Sequence, residues 1–239
     1  MGMAYADFSK SSIRLALKRG LARQIMAQAT EGDIPQVIAQ LAELRPNRKA
    51  QERLAERLQR QRGIVRVTLS ETGLVITLRN RRQMISRIED SDAFTEETLF
   101  YTRISARMTR TGPSLHVSRA SFSCHALERL VERSAVALDC PLLPAVDSEA
   151  VTILWHAARA RLIEDGEEEY APALQPGVWA GRVDLSEVEL EWGLSHQDPA
   201  ARVPVFSART FLAPEQMRPT VWLRWKADPS LSLNSARAC

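Results

Sequence analysis

Apolar residues recur at helical spacing over the first 62 residues and at alternate positions after that. In Ser9–Ala29, Ile13, Leu17, Leu21 and Ile25 predict a helix that Ser11 or Ser12 can cap. Asp33 with Pro35 opens a second helix whose core face is Val37, Ile38, Leu41 and Leu44, and Pro46 closes it. Asn47 opens a third, with Leu54 and Leu58 on a thin apolar stripe and Gly63 as its stop. The period then changes to two. IVRVTL and LVITLR alternate about Ser70-Glu71-Thr72-Gly73, a hairpin with Gly73 suited to a left-handed position. Around Met84, Ile85 and Ile88 the pattern fits a short basic helix or an extended exit. LFYTRISARMTR and SLHVSRASF, split by Thr111-Gly112-Pro113, give a second hairpin that leads into an amphipathic helix. Pro141 and Pro144 mark a linker before a helix capped by Ser148 and ending at Gly166. VWAGRVDL, VELEWG, RVPVFSARTFL and PTVWLRW read as strands, and Pro214 and Pro219 argue against a long final helix. The expected fold is therefore α+β. A basic three-helix region at 1–62 precedes a domain at 63–239 of antiparallel strands, with inserted helices near 123–134 and 148–164.

Charge divides the chain. Residues 1–62 carry 12 basic and 6 acidic groups, residues 63–134 carry 11 and 8, and residues 135–239 carry 9 and 15. A cationic first half favours a polyanionic partner, nucleic acid above all, through residues 1–134. The competing reading is that the two halves attract each other, within the fold or between copies, or dock an acidic protein. No acid lies between Asp7 and Glu31, so Arg14, Lys18, Arg19 and Arg23 on the first helix are candidate nucleic-acid contacts. No apolar run reaches the ~18 residues of a membrane span, and the first residues lack a secretory signal, so the expectation is a cytoplasmic protein. Cys124, Cys140 and Cys239 show neither disulfide nor zinc spacing and are read as free thiols.

The strongest chemical signal is SFSCHALERLVERS, residues 121–134. At about 100° per residue His125, Arg129 and Arg133 share one face of a helix, while Ala126, Leu127, Leu130 and Val131 fill the other. With Ser123 as N-cap, the helix dipole favours a thiolate at Cys124 and a neutral His125. His125 is then a candidate general acid or base, and Arg129 and Arg133, with Arg119 on the preceding strand, are candidate phosphate ligands. His125-Ala-x-x-Arg129-x-x-x-Arg133 resembles the helix motif of small bacterial toxin-like domains related to the RelE and barnase-type ribonucleases, although Leu130 stands where those domains commonly carry Met. Over these nine residues the resemblance implies an RNA-directed activity on a helix packed against a curved antiparallel sheet.

The chain contains no GxxxxGK[ST], GxGxxG, HExxH or GxSxG motif, and His116, His125, His156 and His196 show no metal-ligand spacing. No cofactor and no metal are expected. His156, beside Trp155, reads as a packing residue, and Trp179, Trp192, Trp222 and Trp225 as core or sheet-edge residues. The functional expectation is association with nucleic acid, RNA before DNA, in a binding or a metal-independent ribonuclease-like form. The alternative is a non-catalytic adaptor acting through protein contacts.

Overall fold

The computed structural model describes residues 3–88, 92–187 and 202–227, and its fold is α+β. Three helices come first, α1 (Met3–Gln28), α2 (Ile34–Ala42) and α3 (Arg48–Gln59). Asp33 and Asn47 cap α2 and α3 by accepting from Gln36 N and Lys49 N. A meander of β1 (Ile64–Leu69), β2 (Gly73–Ile88), β3 (Asp92–Thr109) and β4 (Gly112–Ser123) follows. After α4 (Cys124–Arg133) and α5 (Leu143–Ala157) comes a second meander, β5 (Ile163–Asp165), β6 (Glu168–Pro172), β7 (Val178–Glu187) and β8 (Arg202–Leu212). A 3₁₀ turn (Pro214–Gln216) and α6 (Pro219–Ala227) complete the described chain.

The eight strands among the described residues join in one sheet of order β1-β2-β3-β4-β8-β7-β6-β5. It is antiparallel except at its centre, where β4 and β8 run parallel from Arg119↔Val205 to Phe122↔Ala208. Strand alternation gives the faces different partners. On one, Leu99, Tyr101, Ala120, Phe122, Trp179 and Phe211 pack beneath α4, α5 and the second half of α1. On the other, Leu74, Ile76, Leu78, Ile104 and Ala106 lie beneath α2 and α3, and Tyr170, Val178 and Ala180 pack with Val221 of α6.

Arg79 ties these layers together. Its guanidinium, almost fully buried, bonds both oxygens of Asp147 on α5 at 2.6 and 2.5 Å and both Thr30 oxygens at 3.0 and 3.3 Å. Tyr101 Oη donates to Asp147 at 2.8 Å, and burial, with the Asp147 charge behind it, pushes the Tyr101 phenol well above its ordinary pKa. The Arg79 backbone bonds Gly63 O and Gly32 N.

Several elements depart from the sequence expectations. The residues around Met84 and Ile85 are extended, within β2. Helix α5 starts five residues before Ser148, with Pro144 in its first turn, where the missing N–H costs nothing. Ser148 Oγ bonds back to Pro144 O instead of capping. The helix also ends well before Gly166: Arg161 N reaches His156 O, Ala160 N reaches Ala157 O, and Ala160 takes the left-handed position at φ 51° that glycine usually fills. PTVWLRW is the helix α6 rather than a strand. VELEWG, His196, Trp192 and Cys239 lie outside the described residues.

Gly73 is required for a reason the turn did not suggest. It belongs to β2, not to a left-handed turn, and a Cβ there would sit 2.0 Å from Ala106 O. Gly20 on α1 has nothing within 4 Å of the same position. Gly73→Ala is therefore expected to lower unfolding free energy by about 1–3 kcal/mol. Gly20→Ala should raise it by about 0.5–1 kcal/mol. Chemical denaturation of both variants checks the pair, and equal effects would contradict the close approach.

Candidate nucleic-acid interface

Helix α4 forms as its sequence directs. Ser123 Oγ accepts from Ala126 N at 3.1 Å, and Ala126, Leu127, Leu130 and Val131 are buried. Its polar face brings His125 and Arg129 together, since Arg129 Nε donates to His125 Nε2 at 3.3 Å. The cations beside them are already engaged. Arg129 Nη1 lies 2.6 Å from Glu132 Oε2, which also takes Lys18 Nζ at 3.1 Å. Burial raises the Glu132 carboxyl, but the bonds from Lys18 and Arg129 outweigh it and leave the group below its ordinary pKa. Arg133 donates to Phe211 O at 3.0 Å and Thr210 Oγ1 at 3.3 Å, fastening α4 to β8.

Arg119 is separated from this helix by the sheet itself. It is 3% exposed on the α2–α3 face, with its guanidinium 4.4 Å from the centre of the Phe100 ring. The α1 cations divide as well. Arg14 donates to Val131 O at 3.0 Å and Val136 O at 2.6 Å, satisfying a carbonyl in the last turn of α4 and one just beyond it, and Lys18 is held by Glu132, whereas Arg19 and Arg23 are exposed. The thiolate expected at Cys124 is not favoured: burial, then Glu128 and Glu96, raise its pKa. His156 is the buried packing residue expected, and Trp179 is fully buried.

A second cluster, on the α4–α5 face, joins strand arginines with the basic residues Arg159 and Arg161 near His156, which the sequence offered as a separate constellation. Beyond Tyr101 the same parity of β3 presents Arg103, Ser105 and Arg107, paired across the sheet with Thr77, Val75 and Gly73 on β2 and with Ser118, His116 and Ser114 on β4. Arg107, Ser114 and His116 are exposed, and Arg103 is half-buried. Among the described residues no hydrogen bond or ion pair engages Arg103 or Arg107. The Arg103 guanidinium is depressed below its ordinary pKa by burial, then by Arg159 and by Arg107. Arg159 comes from the end of α5, stacked 3.9 Å from the centre of the exposed Trp155 ring, with Arg161 at 5.5 Å. The legible signal was parity: Arg103 and Arg107 follow Tyr101 at even spacing, so burial of Tyr101 puts both arginines on its face.

Among the described residues no group of three or more His, Cys, Asp or Glu side chains is placed to hold a metal ion. No helix among them is long and apolar enough to cross a membrane. No protein-family model matches the chain, and no curated protein and no solved structure matches it either.

These bonds separate two residues that the sequence treats alike. Arg133→Ala is expected to lower stability by about 1–3 kcal/mol by leaving the Phe211 carbonyl without its donor. Arg129→Ala, whose ion pair is partly solvated, should cost less than about 1 kcal/mol. Denaturant titration measures both, and equal losses would show that Arg133 does not anchor α4.

Proposed function

We propose that this protein binds nucleic acid on the arginine-bearing face of its sheet and does not cleave it. The observation that carries the reading is Arg103, half-buried on the sheet, which makes no ion pair among the described residues and has Arg159 and Arg107 as its charged neighbours there. A partly desolvated guanidinium without a counter-charge is costly to the fold alone, and an anionic ligand supplies what is missing. Phosphate suits arginine because the planar fork gives two parallel hydrogen bonds. The α4 face supports hydrolysis less well, because Glu132 neutralises Arg129 and β8 occupies Arg133.

Fluorescence anisotropy with a labelled oligonucleotide tests this. Arg103→Gln/Arg107→Gln is expected to weaken binding and to reduce the slope of log affinity against log salt by about 1 for each phosphate that is no longer neutralised. Arg129→Ala, on α4 and paired with Glu132, should leave affinity unchanged. Absence of binding by the intact protein at ~50 mM salt, where phosphate pairing is strong, would overturn the proposal.

A second reading, assembly through protein contacts, draws on α1, where Ile13, Leu15 and Leu17 are 53%, 53% and 47% exposed. Light scattering that returns a monomer mass across the micromolar range would remove self-association through this helix.

A further inference from the structure

We infer that the ligand of the sheet face is a single strand, held by its phosphates along Arg103 and Arg107 and by one base stacked on the Trp155–Arg159 pair. This rests on the nucleic-acid reading above and names the form of nucleic acid it takes.

Three features carry it, with Arg159 near enough to Arg103 to act on its charge. The first is the pair of strand arginines, one face and four residues apart, hence about 13 Å along β3 at ~3.3 Å per residue. That span runs along a backbone rather than around one isolated phosphate. The second is Ser118, directly across the strand pair from Arg103. It is 5% exposed, and its hydroxyl has no hydrogen-bond partner among the described residues. A buried hydroxyl left without a partner is disfavoured, and beside Arg103 it supplies a further donor for a phosphate oxygen. The third is Trp155, 40% exposed at the last turn of α5.

The end of α5 lays two cations and the His156 ring against the indole. The left-handed turn at Ala160 reverses the chain, and Arg159 and Arg161 fold back over the indole, with Arg159 also bonded to Trp155 O at 3.4 Å. Alanine there carries strain that glycine would not. An indole layered with a guanidinium is a platform on which any unpaired base can stack. In a duplex the base faces are closed to it. The phosphate contacts alone would accept either form, so Trp155 is what selects the single strand.

Four probes of equal length test the inference on the intact chain: a single-stranded oligonucleotide, the same strand with every base replaced by abasic sites, its duplex, and a polyglutamate peptide as competitor. The single strand should bind at least about tenfold more tightly than the abasic strand or the duplex. About tenfold corresponds to ~1.4 kcal/mol, within the range of one base–aromatic stack. Trp155→Ala should remove that margin, Trp155→Phe should keep most of it, and neither should alter duplex binding. Equal affinity for intact and abasic strands would overturn the inference while leaving the arginine-face reading in place, and that arm needs no variant to fold. Failure to bind any of the nucleic acids, or displacement by polyglutamate at matching charge concentration, would overturn both and point to an acidic protein partner.

Discussion

The ion pair of Arg79 with Asp147 is the constraint around which the other layers are arranged. One guanidinium on β2 reaches α5 through Asp147 and the α1–α2 connection through Thr30, and its own backbone is bonded to Gly32 and Gly63. Two charges withdrawn from water are tolerated only when their hydrogen-bonding capacity is filled, and Tyr101 and Thr30 take up the remainder. Tyr101 is also where the face of β3 changes character. Towards Leu99 it packs against the helices, and towards Arg103 and Arg107 it turns polar and becomes exposed only at Arg107. The position of α5, fixed by Asp147, therefore sets both where the core ends and where Trp155 and Arg159 are carried.

Much of this architecture was legible in the pattern of residues. Helical and alternating periods gave α2, α3, the β1–β2 and β3–β4 hairpins and α4, because each is a local matter of which side chains one face must bury. PTVWLRW was misread because seven residues containing Val221, Trp222 and Trp225 fit either period, and only packing against Tyr170 and Val178 decides for a helix. The end of α5 was missed because its left-handed residue is Ala160, which carries none of glycine's signal. The parallel pairing of β4 with β8 has no local signature at all.

The candidate site was harder to read, and for a different reason. Spacing put His125, Arg129 and Arg133 on one helical face, and all three do lie on α4. Spacing does not reveal what already bonds a cation, and here Glu132, Thr210 and Phe211 come from a neighbouring turn and a distant strand. Net charge was equally silent about Arg103. What distinguishes that residue is that no carboxylate among the described residues pairs with it, which depends on the whole fold.

The parallel seam gives the molecule an uneven history. Each meander can form from hairpins whose strands are close in sequence, but β4 and β8 meet only after the chain from Arg119 to Val205 has closed on itself. Such a closure exacts its entropic cost before the first rung of the ladder exists, so pairings of this separation slow the search for the native state. Leu127, Leu130, Phe206 and Phe211 share the core that spans the join. Apolar burial under α4 thus joins the short ladder in holding together two half-sheets that are each locally encoded.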